Sequence, residues 1–461
     1  MKMKSIDQYI DLFTRNREAF DKDSPEAMNR LRMAAYGSLR GKSLPKKGDE
    51  GYEKTSLDEM FSPDFGINVN RVDMTADIAA SFRCDVPNMS TLLGVCVNDS
   101  FHPVSGLEQR LSDGVVFTSI RNAATQIPHI VEAYYGTLAP LARPEVALNT
   151  LLAQDGVMIY IPDGVTVEKP LQLVNIFATP APVMAVRRLL VVLGRNSSAQ
   201  LLVCDHTQSA ATDCLSSQVV EIALGHGARF DYYDIEESSP LTRRSSNLFA
   251  RQSKNSNLLV NGITLTCGTT RNDYSIDIDG TDCETTLAGM AVGSDNMHVD
   301  NSSIIRHLAP HCNSRQLFKY VLDDHSSGAF EGSILVTPGA PFTEAYQSNR
   351  NILAHPDARM HTRPQLEIYN DDVKCSHGAT TGQLDNEALF YMRTRGIPER
   401  EAKVMLMQAF MTDVIDTVRM DGLRDRLRHL VEKRFAGAEA LCGECRSSCH
   451  KKENDNEKPN D

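Results

Sequence analysis

The chain has 461 residues, 41% of them hydrophobic and 23% charged, which is ordinary for a globular protein with a sizeable core. A net charge of −12 disfavours a protein that coats nucleic acid. The first residues lack the apolar segment of a signal peptide, and no run of 18 apolar residues follows. We therefore expect a cytoplasmic protein without a membrane span, its eleven cysteines reduced.

The first 60 residues are predicted to form an N-terminal helical region. One helix follows Ser5, with apolar residues at helical spacing: Ile6, Tyr9, Ile10 and Phe13. A second begins at Ser24-Pro25-Glu26, and its predicted inner face is Ala27, Leu31, Ala34 and Ala35. The polar, glycine-rich segment 41–56 is predicted to be a loop or linker, and 61–150 a mixed connecting region.

Residues 151–383 have a β-rich pattern. Short apolar runs alternate with Gly, Asn, Asp and Ser, among them VMIYI, LLVVLG, AQLLVC, QVVEIAL, NLLVNGITL, SIDID and GSILV. No amphipathic helix interrupts them, which disfavours alternating βαβ units. A large sandwich or barrel and a solenoid of stacked coils both remain open, with the length favouring the solenoid, although no exact repeat is visible.

Helical patterns return in 384–436. Asp385 is predicted to cap a helix that Gly396 ends, with Ala388, Leu389 and Met392 inward. The next opens at Pro398, with an inner stripe of Ala402, Met405, Leu406, Ala409 and Phe410. Gly422 is predicted to separate it from a third helix whose inner residues are Leu423, Leu427, Leu430 and Val431. The polar tail 437–461 is predicted to be disordered.

Several motifs have a structural interpretation that we prefer. YGSLRGKS (36–43) resembles a phosphate-binding loop, but Tyr36 stands where that motif needs its first glycine. The carboxylates of 277–284 could bind calcium or hydrolyse glycosides, yet turns between strands explain them more simply: Asp277, Asp279, Asp282 and Glu284.

Two other groups also have simple explanations. His355 and His361 match no standard ligand spacing and are interpreted as surface turn residues. Three methionines could suggest copper, but their helical position favours core packing: Met405, Met407 and Met411.

Cysteine and histidine residues also cluster near the C-terminus. Cys442 and Cys445 have the Cys-x-x-Cys spacing of a tetrahedral metal site, which Cys449 and His450 could complete. An exposed cysteine cluster with no fixed role is an equal alternative.

Cys375 and His377 form a different pair. Residues i and i+2 of a strand point to the same side, so both side chains would project from one surface. A buried cysteine beside a hydrogen-bonded histidine is the simplest interpretation. The alternative is half of a metal site, with the other ligands coming from a second chain.

Four segments carry a family resemblance: SRQLFKYVLDD (314–324), FEGSILVTPGA (330–340), YQSNRNIL (346–353) and PQLEIYNDDVKCSHGATTGQLDNEALFYMRTRGI (364–397). The chain resembles the SufD branch of the SufB/SufD family of iron–sulfur cluster assembly proteins. The segment LPKKGDEGYEKTSL is similar to a family segment with a Trp-Lys-Tyr-Thr-like run, although this chain has no tryptophan.

The resemblance implies a mainly β fold, a right-handed parallel β-helix (solenoid) flanked by helical regions. It implies a non-catalytic scaffold that pairs with a SufB-like subunit through the β-helix and docks a SufC-like ABC ATPase through its C-terminal helices. Sulfur would reach the complex from a cysteine desulfurase through SufB. A homodimer in isolation and a flavin in the complex are further possibilities.

The resemblance also assigns the site. It places His377 opposite a SufB cysteine, as a ligand shared with the partner chain for a transient Fe–S cluster or iron, and Cys375 nearby. No tightly bound cofactor is expected. Two alternatives stay open: a β-helix carbohydrate-active enzyme using the 277–284 carboxylates, and a SufB-like subunit that itself accepts sulfur.

Overall fold

The structure, a computed structural model, describes residues 4–22, 24–72, 90–103, 107, 111, 114–208 and 211–436. It divides into two compact units, the first ending at Leu384 and the second containing the C-terminal helices. Among the described residues, no helix is long and apolar enough to cross a membrane. The two units are described in turn.

The first unit is a parallel β-solenoid of about eight turns, so the predicted solenoid is confirmed. From β4 to β19 each turn contributes one strand to each of two sheets, which bury the core between them. One sheet has the order β19-β17-β15-β13-β11-β9-β7-β5-β1-β2 and the other β18-β16-β14-β12-β10-β8-β6-β4-β3. The strands are β1 Leu92–Val97, β2 Ser100–Pro103, β3 Val116–Ser119, β4 Val157–Ile161, β5 Leu171–Phe177, β6 Val183–Leu193, β7 Ser198–Thr207, β8 Cys214–Leu224, β9 Arg229–Glu237, β10 Thr242–Gln252, β11 Asn257–Thr266, β12 Thr269–Ile278, β13 Glu284–Gly293, β14 His298–His307, β15 Asn313–Leu322, β16 Ser327–Val336, β17 Thr343–Leu353, β18 Arg359–Ile368 and β19 Val373–Gly382.

The length of one turn varies along the solenoid. Aligned residues in successive turns lie 26 positions apart at Arg243 and Thr269 but 32 apart at Ser327 and Arg359. A fixed period is the usual sequence sign of a solenoid. Its absence explains why the repeat is not visible in the sequence.

One corner of the solenoid does repeat in backbone conformation. In the ten-stranded sheet, the residue two positions before each strand from β7 to β15, and the one just before β17, has a left-handed φ between 52° and 69°: Asn196, Gly227, Asn255, Asp282, His311 and Phe342. Gly, Asn and Asp adopt this conformation most easily. Each corner residue from Asn196 to His311 is followed directly by a small, buried residue, the first of which is Ser197 and the last Cys312. Each coil therefore turns tightly at this corner.

Helices cover the outer face of the nine-stranded sheet near β4, β6 and β8. In the first unit they are α1 Ser5–Arg15, α2 Arg17–Asp21, α3 Glu26–Leu39, α4 Leu57–Met60, α5 Ile120–Gln126, α6 Pro128–Tyr134 and α7 Pro144–Leu152. Ile6, Met28 and Leu148 pack in one cluster with Met158 and Leu190 of the sheet.

One prediction about α3 is wrong. Ala34 is exposed, and Arg32 is fully buried instead. The guanidinium donates to the carbonyl oxygens of Leu151 (3.1 Å) and Ala153 (2.6 Å) and pairs with Asp21 (3.0 Å). Paired in this way, an arginine can replace an apolar residue on the inner face.

Segment 41–56 is irregular, as predicted, but it is bound to the solenoid rather than being a free linker. Tyr52 packs under the guanidinium of Arg271 on β12, and the Thr55 hydroxyl lies 2.8 Å from His298 Nε2 on β14. Glu53 pairs with Arg363 on β18 at 2.7 Å. The segment therefore crosses several turns of the nine-stranded sheet.

The second unit contains α8 Asn386–Thr394, α9 Glu399–Ile415 and α10 Asp421–Phe435. Asp385 caps α8 as predicted, accepting hydrogen bonds from the backbone N–H groups of Glu387 and Ala388. The buried side of α9 is Ala402, Met407, Met411, Val414 and Ile415, so Met405 and Ala409 were wrongly assigned to it. Helix α10 buries Leu423, Leu427 and Val431 as predicted, and Gly422 lies in its first turn rather than before it.

Candidate functional site

Cys375 and His377 lie on β19, the last strand of the ten-stranded sheet. β19 pairs in parallel with β17, which aligns Cys375 with Ala345 and His377 with Gln347. No described strand pairs with the other edge of β19. The two side chains therefore lie at the open C-terminal end of the solenoid.

His377 belongs to the inward-facing positions of its strand. In β17 the residues at the corresponding positions are buried, and they include Ala345, Gln347 and Asn349. β19 has the same register, but no further turn covers it, and His377 is exposed. Its imidazole is thus an inner-face side chain that the end of the solenoid leaves open to solvent.

A row of polar side chains leads to His377 from inside the solenoid. The Ser303 hydroxyl donates to Oε1 of Gln316 at 3.0 Å, and Nε2 of Gln347 donates to the same oxygen at 2.9 Å. These three side chains are buried, and His377 follows Gln347 in register. Buried polar groups need such hydrogen-bond partners, so these bonds hold the Gln347 side chain in place one turn before His377.

Cys375 is half-buried and differs from His377 in character. With Val373 and Leu366 it packs against a small apolar cluster that includes Val336 and Ala345. Burial raises the pKa of the Cys375 thiol. The thiol is therefore protonated near neutral pH and is a weak nucleophile in this state.

The end of the nine-stranded sheet is blunted by a proline. The N–H group of Arg359, which begins β18, donates to the carbonyl oxygen of Ser326 just before β16 at 3.1 Å, and that of Tyr369, just after β18, donates to the carbonyl oxygen of Val336 at the end of β16 at 2.9 Å. Successive N–H groups along a strand point alternately to its two edges, so the N–H of residue 364 would point to the free edge of β18. Residue 364 is a proline and has no N–H group. β19 contains no proline, so its free edge keeps all its donors.

The basic loop at 36–43 is the end of a helix, as interpreted from the sequence. α3 ends at Leu39, and Gly41 has a left-handed φ of 76°. Lys42 Nζ donates to the carbonyl oxygen of Ala142 at 2.8 Å. The lysine is thus bound to a backbone carbonyl.

The acidic segment 277–284 lies at a corner of the solenoid. Asp277 pairs with Arg306 at 3.0 Å, and Glu284 accepts a hydrogen bond from Asn257 at 2.6 Å. Asp282 has the left-handed conformation of the corner. The turn interpretation is confirmed for Asp279 and Asp282, which lie between β12 and β13, but it is wrong for Asp277 on β12 and for Glu284, the first residue of β13.

The other predicted histidines that the structure describes, His355 and His361, lie outside β19. His355 is in a turn beside Asp357, at 3.8 Å, whereas His361 is exposed on β18 rather than in a turn. The described residues contain no group of three or more His, Cys, Asp or Glu side chains placed to hold a metal ion. Cys442, Cys445, Cys449 and His450 lie outside the described residues.

Sequence reasoning missed a charge cluster inside the solenoid. Arg244 Nη1 lies 3.6 Å from Glu236, Arg244 also pairs with Asp234, and Asp205 lies 3.4 Å from both Arg244 and Arg187. Burial, partly offset by Arg244, raises the pKa of Glu236 to about 7. Charged residues at inward-facing strand positions could have revealed this cluster. Those positions can be identified only when the strand register is known.

Fold and site together define a class of protein: a β-solenoid whose last described strand has no described partner on one edge and presents a half-buried thiol and an exposed imidazole. The chain belongs to the SufBD family. The model of the SufBD core domain of SUF system FeS cluster assembly matches residues 176–410, and that of the SufBD N-terminal region matches 3–173. The resemblance drawn from the sequence is confirmed, and the chain is an iron–sulfur cluster assembly protein of this family.

Curated proteins are similar to this chain over different shares of its length. An iron–sulfur cluster assembly SufBD family protein of Synechocystis sp. is 28% identical over 408 residues, 86% of this chain and 88% of the relative. SufD of Bacillus subtilis is 25% identical over 450 residues, 93% of this chain and 98% of the relative. SufD of Escherichia coli is 36% identical over 167 residues, 36% of this chain and 40% of the relative.

Proposed function

We propose that this chain is a SufD-like, non-catalytic scaffold of a cytoplasmic SufBCD-type complex, in which a nascent Fe–S cluster forms where its open end meets a SufB-like subunit. The observation that carries the proposal is the exposed, inward-facing His377 on β19, whose outer edge pairs with no described strand. An imidazole is a good ligand for iron, and one side chain alone leaves the coordination shell to be completed by a partner.

The free edge of β19 is the proposed pairing surface for the SufB-like subunit. Its unpaired N–H and C=O groups can accept an added strand, whereas Pro364 weakens the equivalent edge of β18. Half-buried apolar residues lie beside the site, among them Leu366, Val373 and Ala379. A partner that covered them would also exclude water from the cluster. The same edge could pair two copies of this chain in isolation.

The second unit is the proposed docking site for the SufC-like ATPase. Phe390 and Tyr391 on α8 are 68% and 58% exposed, and Met405 on α9 is 48% exposed. Large apolar side chains exposed together are typical of protein interaction surfaces. Motion of these helices during ATP hydrolysis would then change the partner interface, which couples the nucleotide state to the site.

The chemistry of Cys375 favours this role over that of a sulfur acceptor. A sulfur acceptor attacks as a thiolate, and burial raises the pKa of Cys375. Sulfur from a cysteine desulfurase would then enter through the SufB-like subunit. The iron or Fe–S cluster is cargo in this scheme, and a flavin, if required, would bind in the complex.

Anaerobic co-purification with SufB-like and SufC-like subunits tests the proposal. The wild-type chain is expected to co-purify with both subunits. Ala379→Glu places a charge on the inner face of β19 and should release the SufB-like subunit, whereas Thr380→Glu, one residue away on the opposite face, should retain it. Equal binding by the two variants would exclude this edge as the interface.

A further inference from the structure

Cys283 and Cys312 lie at the same position of successive turns. Each comes just before a strand, β13 or β15, and each follows a left-handed corner residue, Asp282 or His311. The Asn313 N–H donates to the Cys283 carbonyl oxygen at 2.9 Å, which fixes the two backbones side by side. Both side chains are fully buried. The corner thus stacks one thiol directly on the next.

The two sulfurs share one hydrogen-bond partner. Each lies 3.2 Å from the carbonyl oxygen of Gly280. The Cys283 sulfur also lies 3.1 Å from the Ser253 carbonyl oxygen and 3.5 Å from Ser256 Oγ. The two thiols therefore occupy one small polar site beneath the corner.

This arrangement suits a disulfide bond. Aligned residues of neighbouring parallel strands have Cα atoms about 4.8 Å apart, within the range that disulfides span, about 4.4 to 6.8 Å. Both sulfurs already contact the same carbonyl oxygen, that of Gly280, so rotation about the side-chain bonds is the main movement required.

We propose that Cys283 and Cys312 form a redox-active dithiol that hydrogen peroxide converts to a disulfide between two turns of the solenoid. One thiolate attacks the peroxide O–O bond, giving a sulfenic acid and, with one proton, water. The sulfur of the second thiol then displaces the hydroxyl group of the sulfenic acid. This hydroxyl group takes the proton of the second thiol and leaves as a second water. The two sulfurs lose two electrons in total, and peroxide gains them.

The hydrogen bonds of the site distinguish the two thiols. The neighbouring Cys312 thiol, together with the Ser256 hydroxyl 3.5 Å from the Cys283 sulfur, lowers the pKa of Cys283, whereas the Cys283 thiol raises the pKa of Cys312. Cys283 is therefore the thiol that ionises first and reacts with peroxide, and Cys312 resolves the sulfenic acid. Because both sulfurs are buried, the oxidant must be small.

The disulfide would close a loop of about 30 residues and restrict the unfolded chain. It would also join the turn that contains β13 to the turn that contains β15, toward the open end of the solenoid. We expect the apparent midpoint of thermal unfolding to rise by about 5 °C on oxidation and to return on reduction.

Peptide mapping of the full chain tests this directly. The protein is treated with excess hydrogen peroxide at neutral pH, unfolded with an alkylating reagent, digested and analysed by mass spectrometry. The expected product is one pair of linked peptides containing Cys283 and Cys312, two hydrogens lighter than the separate peptides. Treatment with dithiothreitol before alkylation should reduce the disulfide, so that Cys283 and Cys312 are both found alkylated.

Cys283→Ser is the test variant, because Ser256 occupies the same corner position one turn earlier. It should lose the linked peptides and the rise in midpoint, and Cys214→Ser, at another buried cysteine, should keep both. The proposal is overturned if peroxide leaves Cys283 and Cys312 alkylatable, or takes either to a sulfinic acid without a link. The wild-type map decides this even if Cys283→Ser fails to fold.

Discussion

His377 lies in register with Gln347, one turn further along the solenoid, at the point where the stack of coils ends. Gln347 is buried and hydrogen-bonded to Gln316, whereas His377 is exposed. The same inward-facing position is therefore structural in one turn and available for binding in the next. What distinguishes the two residues is whether another turn covers them.

His377→Ala should impair cluster formation by the whole complex without unfolding the chain. An exposed side chain on the last strand contributes little to stability, but loss of a ligand should lower the rate of cluster formation at least about tenfold. The measurement is anaerobic reconstitution followed by the absorbance of the cluster. Ser376→Ala, the exposed neighbour on the opposite face, is the control and should keep the wild-type rate. A normal rate for His377→Ala would remove the ligand role.

The sequence predicted the strands well because a buried strand needs only a short apolar run. The runs VMIYI and NLLVNGITL fall within β4 and β11. The exposure of His377 could not be predicted in this way, because it depends on where the solenoid ends. The corner positions were also hidden, since residues as different as Gly227 and Phe342 serve there.

Helix faces were less predictable than strands. Spacing shows that a helix has an apolar side, but neighbouring elements decide which residues are covered. Met405 fits the apolar spacing of α9 and is 48% exposed, while Met407 is buried. The burial of Arg32 depends on carbonyl oxygens of Leu151 and Ala153, far away in sequence.

A chain that ends after Gly396 should lose the SufC-like ATPase and keep its SufB-like partner. The truncation removes α9 and α10, which bury Met411 and Leu427, and leaves the solenoid intact. Binding is measured by size-exclusion chromatography of the purified subunits. Phe390→Ser in the full chain is a milder variant and should weaken ATPase binding alone. Undiminished binding by the truncated chain would contradict the assigned docking site.

Glu221→Ala should destabilise the first unit by about 3–5 kcal/mol, because it leaves a buried arginine unpaired. Glu221 and Arg188 are each 1% exposed and 2.6 Å apart. The same carboxylate accepts hydrogen bonds from the N–H groups of Gly136 (3.0 Å) and Leu138 (2.9 Å), so the loop after α6 would also be released. Urea unfolding measures the loss. Glu344→Ala breaks an exposed ion pair with Lys374 and should leave the unfolding midpoint unchanged.

His307 should make the chain less stable as the pH falls from about 6.5 to about 4. The imidazole is fully buried on β14, its Nε2 2.8 Å from Ser314 Oγ, and burial lowers its pKa to about 4. In the unfolded chain its pKa returns to about 6.5, so in this range the unfolded state binds the proton and the folded state does not. Neutral His307 makes its full contribution to the free energy of unfolding above pH 6.5, and this contribution is lost as the pH falls toward 4.

The contribution of His307 can be isolated by comparing variants. Two and a half pKa units correspond to about 3 kcal/mol between pH 7 and pH 4. His307→Asn removes the titrating group, so its stability should fall less over this range than that of the wild type. His325→Asn, at an exposed histidine, should follow the wild-type curve. Urea unfolding at half-unit pH intervals gives the slopes, and identical slopes for wild type and His307→Asn would show that His307 is not neutral in the folded chain.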